Sequence, residues 1–147
     1  MPDVSDEPAS HAAVADWIRT QTRAHDRYAS VYDASQQHRI EHGGNCDVYP
    51  SASGPLLGAL AAAAGARRIL EVGCGLGYSA LWLADGAGPD GTVETCEKDP
   101  LHAEIARRNL DDHDAGRRVT IHARRALDVL AGLRGPYDMI FADGDPD

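Results

Sequence analysis

The chain has 147 residues and a formal net charge of −9, with 43% hydrophobic residues but only 5% aromatic ones. That length supports a single domain with its own core, and the acid excess excludes a general nucleic-acid binder, which needs surplus Lys and Arg on one face. No apolar run reaches the length of a membrane span, and three cysteines at unrelated spacings fit a reducing cytoplasm better than a disulfide framework.

Residues 1–9 are acidic and polar without an apolar centre, which reads as a flexible tail and not as a signal peptide. Over residues 10–32, Val14, Trp17, Ile18, Gln21, Ala24, Tyr28 and Val31 recur at helical spacing, predicting a helix with Ser10 as N-cap. A second short helix is predicted over 33–41, ended by Gly43-Gly44, so that residues 10–52 form an N-terminal helical region. A loop over 43–51 leads through Pro50 into an Ala- and Leu-rich helix over 53–64, with Gly65 where a C-capping glycine belongs.

From there strands and helices alternate. Strand 68–72 precedes helix 78–86, and a turn cluster runs from Gly86 to Gly91. Strand 92–97 precedes helix 100–110, whose first turn holds Pro100. Strand 118–122 leads to helix 125–132, and strand 137–142 completes the series. Such alternation implies an α/β domain, here residues 53–147, built on a parallel sheet with right-handed crossovers.

The chemistry concentrates at the first strand–helix junction. Leu70-Glu71-Val72 runs into glycines at 73, 75 and 77, where a backbone without Cβ atoms can turn sharply and approach a ligand. Twenty residues beyond Gly77, at the end of the second strand, stands Glu97, placed to accept two ribose hydroxyls. A dinucleotide site wants Gly-x-Gly-x-x-Gly, and here Tyr78 occupies the third glycine's place, which argues against a nicotinamide-dependent oxidoreductase. Glu71 inside the strand suits a cationic ligand group and suits a pyrophosphate badly.

These residues resemble the class I S-adenosylmethionine-dependent methyltransferases. The likeness is closest to the cation-dependent O-methyltransferase family that includes the caffeoyl-CoA and catechol enzymes. It covers roughly residues 47–145 and rests on five stretches: 53–57 (Ser-Gly-Pro-Leu-Leu), 70–79, 91–97, 126–130 (Ala-Leu-Asp-Val-Leu) and 137–145. The Gly77-Tyr78-Ser79 and Asp143-Gly144-Asp145 runs point most narrowly to this family. The resemblance implies a Rossmann-like doubly wound parallel sheet in order 3-2-1-4, preceded by N-terminal helices. It implies S-adenosyl-L-methionine as cofactor, Mg²⁺ or Ca²⁺ as metal, and a small hydroxylated molecule as acceptor; the acid excess and the lack of a membrane-length apolar run speak against nucleic acid or membrane as partner. Carried over residue by residue, it places Tyr49, Glu71, Gly73, Cys74, Gly75, Gly77, Ser79, Glu97, Ala126 and Asp145 at the cofactor. It places Asp143 as the first metal carboxylate and as a catalytic residue.

Two departures bear on catalysis. The resembled family carries a lysine three residues after the metal aspartate, where this chain has Pro146, and it draws an Asp-Asn metal pair from beyond the next strand. The reading therefore expects a domain truncated after its fourth strand, with that strand an apolar edge open to self-association. A second reading is a catalytically inactive S-adenosylmethionine-binding or interaction domain.

Outside the site, Cys74 and Cys96 read as buried free thiols, and Trp17, Tyr28 and Tyr32 as a packing stripe. His38-Arg39-Ile40-Glu41-His42 matches the His-x-x-Glu-His pattern of a zinc peptidase family, but Gly43-Gly44 follows at once and no third ligand is evident.

Overall fold

The computed structural model describes residues 25–144 and, ahead of them, residues 13, 14, 17, 20 and 21, which are helical. The expected tail, the Ser10 cap and Asp145 lie outside the described residues. The elements in chain order are α1 (Ala29–Glu41), α2 (Gly54–Ala63), β1 (Arg68–Val72), α3 (Tyr78–Ala87), β2 (Thr92–Cys96) and α4 (Pro100–Asp111). A 3₁₀ turn (Asp114–Arg118), β3 (Val119–His122), α5 (Ala126–Leu130) and β4 (Met139–Ala142) complete the series.

The four strands form one parallel sheet in order β3-β2-β1-β4, as the resemblance implied. β1 is central, pairing Leu70 with Glu94 on one side and with Ile140 on the other. Its Ile69 and the Val93 of β2 are fully buried among Leu81, Leu83, Ala80 and Ala84 of α3. Burying each such Leu or Ile contributes about 1.5–3 kcal/mol. β4 is an edge strand with Ile140 64% exposed, so the expectation of an uncovered apolar residue there holds among the described residues. No helix among them is long and apolar enough to cross a membrane.

Glycine brings α2 and α3 together. A Cβ on Gly86 would lie 2.2 Å from the Gly58 carbonyl oxygen, and one on Gly54 would lie 2.3 Å from the Trp82 ring. The two backbones approach closely because those positions carry no side chain. α2 ends as predicted: Gly65 has φ of 63°, its N–H donates to the Ala62 carbonyl, and the Ala66 N–H donates to the Ala61 carbonyl.

The N-terminal prediction needs correction. The helical pattern expected over 10–32 is interrupted by a turn at 25–28, and α1 starts at Ala29 instead of 33. Asp26 is the physical cause: its Oδ1 accepts the Tyr28 N–H at 2.9 Å, closing a local turn, and its Oδ2 accepts the Tyr78 hydroxyl. Val14 and Trp17, assigned to the packing stripe, are 43% and 64% exposed, whereas Tyr28 and Val31 are buried. Elsewhere the boundaries move by one to three residues. Residues 114–118 take a 3₁₀ turn before β3, α5 is shorter than expected, and β4 starts at Met139. Asp138 stays out of β4 because its carboxylate accepts the Arg67 and Arg68 N–H groups at 2.9 and 2.8 Å.

Candidate functional site

The site forms where β1 ends. Three glycines in left-handed conformation, Gly73 (φ 94°), Gly75 (φ 52°) and Gly77 (φ 96°), fold residues 73–77 into a bend that delivers the chain into α3. Gly73 donates to the Cys96 carbonyl at 3.0 Å, and this ties the bend to the end of β2.

Glu97 follows directly and is 7% exposed. Its Oε2 accepts the Gly75 N–H at 2.8 Å, and its Oε1 accepts the Asp99 N–H at 2.9 Å. Each carboxylate oxygen has a second acceptor site. The carboxylate is thus fixed by backbone donors and can still receive two more hydrogen bonds from a ligand.

Bend and carboxylate together border a cavity of about 440 Å³, the size of a small-molecule cofactor site. Of the residues named from sequence, Tyr49, Gly73, Cys74, Gly75, Ser79, Glu97, Ala126 and Asp143 line it. Glu71 and Gly77 do not. Gly77 faces α4, with the Leu110 side chain and the Ala106 carbonyl 3.5 Å from where its Cβ would sit. Glu71 lies behind the wall and is fully buried. The Thr95 hydroxyl donates to its Oε2 at 2.6 Å, while Oε1 has no hydrogen-bond partner. Burial pushes this carboxyl up to about 7; the Ser79 and Thr95 hydroxyls hold it back, and the charges of Asp143 and Glu97 add to the rise. The Cys74 thiol is likewise raised by burial, and neither it nor Cys96 is in a disulfide.

The rest of the cavity wall comes from the segment after α1 and from the far strand ends. Val48 is 2% exposed and its Cγ1 lies 3.9 Å from a Cβ position on Gly75, so residues 47–51 lie across the bend. Tyr49 stands at the mouth, 57% exposed, with the Arg39 guanidinium 4.5 Å over its ring. Opposite, Ala126 is buried at the start of α5, and Arg125 precedes it at the rim. Asp143 closes the β4 end, its N–H donating to the Val72 carbonyl at 2.9 Å and its carboxyl raised by burial. Among the described residues no group of three or more His, Cys, Asp or Glu is placed to hold a metal ion.

Several wall residues escaped the sequence reading. Lys98, paired to Asp47 at 3.1 Å, was readable only as the cation next to Glu97. Phe141 lies opposite Glu71 in the β1–β4 register, a relation that follows from strand order and not from local pattern. Ser35, 1% exposed and bonded to the Val31 carbonyl, belongs to the short helix predicted over 33–41, in which no cavity residue was expected.

A family model described as O-methyltransferase matches residues 31–147. A catechol O-methyltransferase of Mycobacterium tuberculosis is 39% identical over 143 residues, covering 97% of this chain and 55% of the relative. Among solved structures, the O-methyltransferase of Streptomyces achromogenes involved in tomaymycin synthesis, solved with SAM, superimposes with a TM-score of 0.68. It is 36% identical, over 86% of this chain and 62% of that one. The O-methyltransferase of Bacillus cereus, solved with SAH, gives 0.66 at 31% identity, over 86% and 63%. The chain spans about half the length of the curated relatives it matches.

Proposed function

Since the chain belongs to the O-methyltransferase family, we propose that its cavity binds S-adenosyl-L-methionine and that the protein transfers the methyl group to a hydroxyl of a small molecule. The observation that carries this is the Glu97 carboxylate bonded to the Gly75 amide at the edge of a cavity of about 440 Å³. That pairing fixes an acceptor beside a close-approach bend, which is what a ribose edge requires.

The cofactor supplies a methyl group activated on a sulfonium, and its transfer is an in-line displacement that depends on positioning. The remaining roles fall to this chain's own groups. Glu97 takes the ribose hydroxyls on its unused lone pairs. Gly73, Cys74 and Gly75 form the wall along the adenosine and methionine portions, and Gly77 gives the bend its shape from beneath. Ser79, in the first turn of α3, donates to the carboxylate end. Ala126 packs against adenine, and Tyr49 closes the mouth. Glu71 provides a counter-charge from behind the wall; Asp145, which lies outside the described residues, is assigned to the cofactor from the resemblance alone. Asp143 is the carboxylate available to orient the acceptor hydroxyl. A hard divalent cation wants about six oxygen ligands; among the described residues Asp143 is the carboxylate at that end of the cavity, and it would supply one of them.

Calorimetry with S-adenosylhomocysteine tests the reading. Binding weakened about tenfold or more by Glu97→Ala is expected, from the loss of two charge-assisted hydrogen bonds. Absence of heat at millimolar ligand would overturn it. Radiolabelled methyl transfer to catechol by the purified chain tests the chemical step separately.

A further inference from the structure

α1 ends in the His38-x-x-Glu41-His42 sequence, which the cofactor site leaves unused. In the fold these histidines meet α4. His38 Nε2 lies 3.1 Å from His102 Nε2, the rings edge to face with centroids 5.0 Å apart. The His42 ring lies against His38 at 4.1 Å, with its Nδ1 2.8 Å from the His38 carbonyl oxygen. His102 is 5% exposed; its Nδ1 has no hydrogen-bond partner, and Asp99 Oδ2 stands 4.0 Å away.

The pair is joined to the cavity from both sides. Ser35, one helical turn before His38, is part of the cavity wall, and the segment leaving α1 supplies Val48 and Tyr49. On the other side, Asp99 caps α4 by accepting the Leu101 and His102 N–H groups at 2.8 and 3.3 Å. The Asp99 N–H in turn donates to Glu97, the carboxylate that holds the glycine bend.

We propose that His38 and His102 are positioning residues: a two-imidazole latch that seats α1 and the segment after it over the cavity and lets go on acidification. The proposal rests on the reading of that cavity as a cofactor site.

The chemistry is that of two rings sharing one hydrogen bond. An Nε2···Nε2 contact needs one nitrogen with a proton and one without. A neutral pair meets that condition, and so does a pair holding one extra proton. Two imidazolium rings turn N–H against N–H and repel. The groups facing the pair are Glu41 and His42 from α1 and Asp99 from α4, with Asp47, Glu97 and Lys98 around the adjoining cleft beside His102. Burial first, then the charges of His42 and His102, hold His38 below the ordinary imidazole range, against the pull of Glu41 and Asp99. A value depressed in the seated state means that seating is complete above the free imidazole's value and is lost as pH falls through and below it.

Two readouts test this at about pH 7.5 and about pH 5.5, either side of free imidazole. One is calorimetry with S-adenosylhomocysteine; the other is hydrogen exchange of the α1 amides without ligand, corrected for intrinsic rates. In the wild type, affinity should fall by up to about tenfold per pH unit below the free imidazole value, for one proton taken up, and α1 should lose protection. His102→Gln leaves an amide oxygen to which His38 can donate in either charge state. It should bind within about twofold of wild type at the higher pH and show no acid loss. His38→Ala, with melting by circular dichroism as a folding control, should start at the wild type's acid-weakened affinity. Equal affinity and protection at both pH values in the wild type would overturn the latch, as would an undiminished acid loss in His102→Gln. Absence of ligand heat together with acid-dependent α1 protection that His102→Gln abolishes would retire the cofactor reading and leave the latch standing.

Discussion

Gly73 and Gly144 pack backbone against backbone. A Cβ built on Gly73 meets the Gly144 Cα and N at 2.8 Å, and one built on Gly144 meets the Gly73 Cα at 2.9 Å. The ends of β1 and β4 can lie this close only because neither residue has a side chain. Gly73 also sits at φ of 94°, where an L side chain adds strain. Gly75 differs: its Cβ would have only the Val48 Cγ1 nearby, at 3.9 Å. Gly73→Ala should therefore destabilise by about 2–4 kcal/mol, combining overpacking and strain. Gly75→Ala should cost about 1 kcal/mol, from the left-handed backbone alone, while narrowing the cavity and weakening S-adenosylhomocysteine binding. Urea unfolding and calorimetry on both variants separate the two; equal stability losses would contradict the contact geometry.

Glu71 makes a prediction with a definite sign. Its carboxyl is raised from 4.5 to about 7 in the folded protein. The folded state therefore keeps the proton to higher pH than the unfolded state. The stabilising contribution is complete below about pH 4.5 and is lost as pH rises through about 7. At pH 8 the wild type carries a buried charge with one oxygen unpartnered, a penalty on the order of 3 kcal/mol. Glu71→Gln removes that charge. Its melting temperature should exceed the wild type's at about pH 8 and match it near pH 5. A gap that is the same at both pH values would show that burial of the carboxylate is not what sets the stability.

The α2–α3 contact opposes two effects of known size. Replacing a glycine inside a helix by alanine gains about 1 kcal/mol of helix propensity. At Gly86 the new Cβ would fall 2.2 Å from the Gly58 carbonyl oxygen and 2.9 Å from the Ala61 Cβ. Separating two packed helices to relieve that contact costs about 1–3 kcal/mol or more, so the clash wins. Gly86→Ala should lower the urea midpoint at unchanged slope, and a raised midpoint would refute the close packing.

What the sequence made legible was whatever its own neighbours decide. The glycines at 73, 75 and 77 have positive φ, and residue type alone signals that. Glu97 lies beside the bend because parallel register pairs Val72 with Cys96, so a strand–helix–strand unit of this length brings the two ends together. The break at 25–28 was hidden, because Asp26 turns the chain partly by holding the Tyr78 hydroxyl, a contact that reaches across the fold. The same holds for Lys98 with Asp47, for Phe141 across from Glu71, and for His38 with His102. Each needs the sheet order and helix packing before the partners can be named. Gly54 and Gly58 show the limit most plainly: a helix four residues per ridge explains their spacing only once α3 is known to lie against it.

Tyr49 gives a final test, since its two interactions differ in strength. Its hydroxyl reaches the Gly44 carbonyl at 3.5 Å, too long to contribute much, whereas the Arg39 guanidinium lies 4.5 Å over the ring. An exposed cation–π contact is worth about 0.5–1 kcal/mol, and the ring also forms part of the cavity wall. Tyr49→Phe keeps ring and cation and should bind S-adenosylhomocysteine within about twofold of wild type. Tyr49→Ala loses both and should bind roughly fivefold to thirtyfold more weakly, from about 1–2 kcal/mol of lost contact. Arg39→Ala should reproduce part of that loss in Tyr49→Phe and none of it in Tyr49→Ala, because the partner ring is already gone. Additive losses in the Arg39→Ala/Tyr49→Ala double variant would mean that the guanidinium and the ring act on the ligand independently.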